Sequence, residues 1–144
     1  MVINILILLA AFVMMEGVAW FTHKYVMHGF LWSLHKSHHQ PHKGFELNDL
    51  FGIFFAGIAI WLIWLGFDTL NYLFWAGLGI TAYGFAYFIF HDVLVHRRMD
   101  HNLRPENSYL KKITRAHKIH HKNQNRKEGK FFGFLFVKND QELL

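Results

Sequence analysis

Residues Leu50–Phe90 read LFGIFFAGIAIWLIWLGFDTLNYLFWAGLGITAYGFAYFIF, with Asp68 as the one charged side chain. The stretch divides into two apolar runs, Leu50–Phe67 of eighteen residues and Leu70–Phe90 of twenty-one, joined at Asp68-Thr69. At a rise of ~1.5 Å per residue, each run makes a helix of ~27–32 Å, about the thickness of bilayer hydrocarbon. A third run, Val2–Phe21, has twenty residues interrupted by Asn4 and Glu16. Three such runs leave too little polar chain to cover them as core helices of a water-soluble domain. The expectation is an all-α integral membrane bundle of about three long transmembrane segments, one domain spanning 1–144. Gly52/Ala56 and Ala82/Ala86, each four apart, are candidates for close helix packing.

Charge sets the expected topology. Residues 1–22 carry no Lys or Arg, 23–49 carry three (Lys24, Lys36, Lys43), 50–96 carry none and 97–144 carry twelve. Basic residues accumulate in cytoplasmic loops, so 22–49 and 91–144 are expected on the cytoplasmic side. A basic tail on an apolar body is a membrane pattern, and no nucleic-acid-binding motif accompanies it. The first run lacks both a basic start and a small-x-small cleavage site, so it is expected to be retained as a helix. Nothing looks like an organelle transit peptide, which points to a bacterial inner membrane. The absence of cysteine excludes disulfides, thiolate metal sites and a cysteine nucleophile.

All twelve histidines fall in the two regions assigned to the cytoplasmic side. His23 and His28 form H-x-x-x-x-H, and His91 and His96 repeat that spacing. His35, His38 and His39 form H-x-x-H-H, repeated by His117, His120 and His121. On an α-helix, positions i, i+3 and i+4 lie within ~100° of arc, so each triple can aim three rings at one point. Residues five apart lie ~140° apart on a regular helix. Each pair therefore either splays toward two metals or is brought into line by a π-bulge. The second triple is expected on an amphipathic helix beginning near Pro105, a cap lying over the membrane surface. His42 and His101 fit neither pattern and are expected to be ordinary surface or hydrogen-bonded residues.

Ten imidazoles exceed the needs of one ion, since zinc sites take three or four protein ligands. Two metals with about five nitrogens each use all ten. Imidazole suits iron, copper, nickel and zinc alike, so ligand type does not name the metal. Glu16 lies seven residues before His23 within an apolar run, where a charge usually has a partner. Glu16, Glu46, Asp49 and Asp92 are candidates to stand behind the histidines and fix their tautomers, with snorkelling to the interface as the other reading of Glu16.

These motifs resemble the membrane-bound two-iron histidine superfamily of fatty acid hydroxylases, sterol oxidases and desaturases. EGVAWFTHKYVMHGFLWSLHKSHH, FELND at Phe45–Asp49, HDVLVHRR, HKIHHK and FGFLF at Phe132–Phe136 resemble its bacterial beta-carotene hydroxylase branch. The resemblance covers nearly the whole chain. It implies two iron ions held by the ten motif histidines, with O2 as oxidant. It also implies hydroxylation of beta-ionone rings at position 3, from beta-carotene through cryptoxanthin to zeaxanthin. No flavin or nicotinamide motif is present, so electrons are expected from an external, ferredoxin-type donor. The carotenoid is expected to come from the bilayer. The competing expectations are a hydroxylase of another membrane lipid, such as a fatty acid or sterol, and a non-catalytic histidine-rich metal-binding membrane protein.

Overall fold

The computed structural model describes residues 1–40, 44–127 and 129–137. Among them there is no strand. Helix α1 is Val2–Phe21 and runs without a break into a π-helix, Thr22–Phe30. A short helix α2, Trp32–His35, follows and tightens into a 3₁₀ turn, Lys36–His39. Helices α3, Asp49–Gly66, and α4, Tyr72–Tyr87, form the apolar hairpin. A second π-helix, Phe88–Val95, extends α4. Helix α5, Ser108–Lys122, closes the structure. The shafts Val2–Phe30, Asp49–Gly66 and Tyr72–Val95 are long and apolar enough to cross a membrane.

Helix α4 is the central shaft, packed against α1 and against α3. Two glycines permit both approaches. A Cβ on Gly77 would lie 2.8 Å from the Ala59 carbonyl oxygen of α3. A Cβ on Gly79 would collide with the Leu8 carbonyl of α1 and lie 2.8 Å from the Ala11 side chain. Close approach thus depends on Gly77 and Gly79, not on the pairs expected from sequence. Gly52 and Ala56 line a cavity, and Ala82 is exposed. Four-residue spacing marks one stripe of a helix without saying whether another helix covers it.

The outer faces are apolar and uncovered: Ile3, Leu6 and Val13 on α1, and Ile53, Ile60 and Trp64 on α3, are all more than half exposed. Leaving such surface to lipid costs nothing in a bilayer, whereas in water it would drive association. The buried residues concentrate at the other end, where α2, α5 and the two π-helices meet, and most of them are polar.

The ends of the helices are locally encoded. The Asn71 side chain accepts the Leu73 N–H at 2.9 Å to cap α4, and Asn107 accepts the Leu110 N–H at 2.7 Å to cap α5. Helix α5 therefore begins at Ser108, three residues after Pro105, because Asn107 supplies the cap. It buries Ile113, Ala116, His117 and His120 against the site and leaves Lys111, Arg115 and Lys118 exposed.

Replacing Gly79 with leucine should push α1 from α4. Overpacking of this kind costs about 1–3 kcal/mol, and should appear as a lower thermal midpoint in detergent. Gly84→Leu, where an added Cβ meets open space, should change the midpoint little.

Candidate metal centre

The two π-helices decide how the five-residue pairs are used. In a π-helix the N–H of residue i+5 bonds to the carbonyl of residue i, so residues five apart lie about one turn apart on the same side. His96 N–H donates to the His91 carbonyl at 2.9 Å, and Leu31 N–H to that of Val26 at 3.0 Å. His23 and His28 are thereby aligned with one another, as are His91 and His96. Gly29 then leaves helical dihedrals (φ −98°, ψ −128°), and the chain departs from the apolar shaft toward α2.

The ten histidines form two adjoining groups. In the first, His23, His28, His35 and His120 bring ring nitrogens within 4.8 Å of one another. His39 joins them, its Nε2 lying 3.2 Å from those of both His28 and His35. In the second, His38, His96, His117 and His121 converge in the same way. His91 joins with its Nε2 3.2 Å from that of His38. The groups touch through the stacked rings of His39 and His121, whose centroids are 4.7 Å apart.

Each H-x-x-H-H triple is therefore split, contrary to the expectation that its three rings share a point. His35 and His39 serve the first group while His38 serves the second. His117 and His121 serve the second while His120 serves the first. For the second triple, which lies on the α-helix α5, the reason is angular: His117 and His121 are about 40° apart, whereas His120 and His121 are about 100° apart. Two rings thus share a direction and the middle one diverges.

The outward ring nitrogens show what the inward ones are for. His23 Nδ1 lies 3.0 Å from the Phe132 carbonyl, His28 Nδ1 3.0 Å from that of Arg126, and His120 Nδ1 2.7 Å from that of Lys130. His35 Nδ1 is 2.6 Å from Asn48 Oδ1, His38 Nδ1 2.8 Å from Glu46 Oε1, and His91 Nδ1 2.7 Å from Asp92 Oδ1. A carbonyl or carboxylate oxygen only accepts, so each of these Nδ1 atoms carries the proton, and in a neutral ring each Nε2 presents a lone pair. His28 Nε2 faces His120 Nε2 and His39 Nε2, each at 3.2 Å. Converging lone pairs repel one another unless a cation lies among them. His121 Nε2, buried without a hydrogen-bond partner, is a further unsatisfied acceptor.

Burial keeps the rings uncharged. His120, His91 and His35 are at most 2% exposed. Desolvation pushes His35 and His120 down to about 3, and His39 and His96 down to about 4, while His38, His117 and His121 are also lowered. At neutral pH their lone pairs are free for metal. The donor set fits two borderline transition-metal ions, five imidazoles to each.

Of the four expected carboxylates, Glu46 and Asp92 meet histidines of the second group directly. Asp49 does not bond to a histidine among the described residues. It accepts Arg98 through both oxygens, at 2.7 and 2.9 Å, and the Glu46 N–H at 3.0 Å. Glu16 also differs from expectation. Its Oε1 accepts the N–H groups of Phe134, Leu135 and Phe136 at 2.7, 2.9 and 3.0 Å, and its Oε2 accepts the Tyr83 hydroxyl at 2.7 Å. Its place on the histidine face of α1 brings it to a strap formed by residues 129–137 rather than to a ring. The strap in turn supplies the carbonyls that hold His23 and His120. Asn48, Arg98 and the strap were not expected. FELND signalled Asn48 weakly, and a backbone carbonyl has no sequence signature. His101 is structural, its Nε2 lying 2.6 Å from the Val93 carbonyl. His42 lies outside the described residues.

An apolar cavity of about 730 Å³ leads to the histidines. Phe51, Gly52, Phe55 and Ala56 of α3, Met15 and Ala19 of α1, and Ile80, Tyr83 and Gly84 of α4 wall it. His23, His91 and His117 lie at its inner end with Phe132 and Phe134. Asn48, Asp49, Asp92 and Arg98 add a polar rim there.

Residues 8–141 match the family model described as fatty acid hydroxylase. The chain belongs to the fatty acid hydroxylase family. Within this family it is 46% identical to a beta-carotene hydroxylase of Pseudescherichia vulneris, over 99% of the chain and 82% of that protein. It is 45% identical to a beta-carotene hydroxylase of Pantoea ananas, over 93% of the chain and 77% of that protein. The chloroplastic beta-carotene 3-hydroxylase 1 of Arabidopsis thaliana is 45% identical over 74% of the chain and 36% of its own length. No solved structure matches the chain.

Replacing Glu16 with alanine should release the strap. Faster amide exchange at Phe134–Phe136 and lower metal occupancy are expected. Tyr83→Phe removes one of four bonds and should cost about 1.5–3 kcal/mol, as for a hydrogen bond to a charged group, with metal retained.

Proposed function

We propose that this hydroxylase family member adds a hydroxyl group to the beta-ionone ring of carotenoids at position 3, taking beta-carotene through cryptoxanthin to zeaxanthin. The observation that carries the reading is an apolar cavity whose inner end is lined by His23, His91 and His117, members of the two five-histidine groups. The names of the relatives direct it to carotenoids. Each hydroxylation consumes one O2, two electrons and two protons, and yields the ring alcohol and one water.

The methylene attacked has no acidic proton, so acid–base catalysis cannot begin the reaction. Two iron ions, when bound by His23, His28, His35, His39 and His120 and by His38, His91, His96, His117 and His121, supply the activation of O2. The chain's own work is placement. The Nδ1 partners hold the rings with their lone pairs inward, so the site is organised before metal arrives. Phe132 packs edge-on against His23 at 5.5 Å between centroids, and Phe134 against His91 at 5.4 Å. These rings separate the histidines from bulk water.

A forty-carbon hydrocarbon stays in lipid. It enters sideways, past the small residues Gly52 and Ala56, and puts one ring against His23, His91 and His117. The polar rim of Asn48, Asp92 and Arg98 can accept the new hydroxyl group. The histidine end faces the cytoplasm of a bacterium, where a ferredoxin-type donor delivers electrons. Lys111, Arg115, Lys118 and Lys122 on exposed positions of α5 offer it a basic approach.

Expression in bacteria that accumulate beta-carotene should give a more polar zeaxanthin peak on pigment chromatography. Unchanged pigment, with iron bound and a donor present, would sink the reading. Conversion of a fatty acid or sterol instead would move the substrate to another lipid. Neutralising Lys111, Lys118 and Lys122 together should raise the apparent KM for an acidic donor about 10-fold at low salt, with kcat unchanged.

A further inference from the structure

The two histidine groups are alike in number but not in what stands behind them. In the first group, the Nδ1 partners of His23, His28, His35 and His120 are the Phe132, Arg126 and Lys130 carbonyls and the Asn48 amide, all neutral. The Arg126 guanidinium adds a positive charge there, its Nε donating to the His28 carbonyl at 3.1 Å. In the second group, His38 and His91 are backed by the carboxylates of Glu46 and Asp92. Arg98 ties these to Asp49, at 3.3 Å from Glu46, 3.7 Å from Asp92 and 2.7 Å from Asp49. Among the described residues, three carboxylates and one guanidinium stand behind the second group.

We propose that the two metal sites are unequal by construction, the group of His38, His91, His96, His117 and His121 binding a divalent metal first and more tightly. The inference rests on the two-metal reading above. A carboxylate accepting the Nδ1 proton makes Nε2 a stronger donor, and its charge attracts the cation through space. A neutral carbonyl or amide orients the ring without adding charge. Arg98 keeps the carboxylates in place and is thus a positioning residue for the tighter site.

The test is anaerobic titration of Fe(II) into the metal-free full chain in lipid nanodiscs. Bound iron is counted at each step, and the environments are followed by Mössbauer spectroscopy. Two steps are expected, separated by about 10–100-fold in affinity, the usual effect of partners behind a ligand. His117→Ala should remove the tight step and His120→Ala the weak one. Two near-isosteric changes test the cause without emptying a ligand position. Glu46→Gln should weaken the tight step about 10-fold. Asn48→Asp, which puts a carboxylate behind His35, should tighten the weak step.

Two irons of equal affinity would overturn the proposal while leaving the two-metal reading intact. So would a weak step that Asn48→Asp leaves unmoved. Saturation below two irons per chain would overturn the two-metal reading, and the proposal with it.

Discussion

The rest of the structure depends on one constraint: imidazoles are held neutral and buried, with their Nε2 lone pairs turned inward. Such an arrangement is unfavourable by itself, because like dipoles converge and water is excluded. It is held from outside by the hydrogen bonds at Nδ1. Among the described residues, six of the ten rings have an oxygen acceptor there at 2.6–3.0 Å. A cation relieves the inward conflict, so folding around the site and binding of metal are linked processes.

That constraint explains otherwise unrelated features. The π-helices place residues five apart on the same side, which an α-helix would not do. The strap at residues 129–137 folds back because its carbonyls are needed behind His23 and His120. Glu16 pins the strap from within the apolar shaft through three consecutive backbone N–H groups. Besides histidines, the acidic and basic side chains of the three apolar shafts are Glu16, Lys24, Asp49 and Asp92. The role of the shafts is to present an apolar cavity to the histidine end.

Much of this was legible in the sequence, and the limits have physical causes. The three spans follow from long apolar runs, and the ten histidines of the two groups from a repeated spacing. Glu46 and Asp92 could be suspected because they lie close in sequence to the histidines they hold. The division of each triple was not legible. On an α-helix H-x-x-H-H fixes relative angles but not where the two histidine groups lie about it, and the motif does not say that the first triple runs into a 3₁₀ turn. The five-residue pairs left two options open, since a regular helix and a π-helix share the same letters. The carbonyls of Arg126, Lys130 and Phe132 were invisible because any residue carries one. Glu16 stands out in the sequence as a charge in an apolar run, but its partners do not, because three of the four are backbone N–H groups over a hundred positions away.

The division into five and five is the central claim, and anomalous scattering at the iron edge from crystals of the iron-loaded chain tests it most directly. Two iron peaks are predicted, one surrounded by Nε2 of His23, His28, His35, His39 and His120, the other by Nε2 of His38, His91, His96, His117 and His121. A single peak, or one peak ligated by His35, His38 and His39 together, would contradict the account.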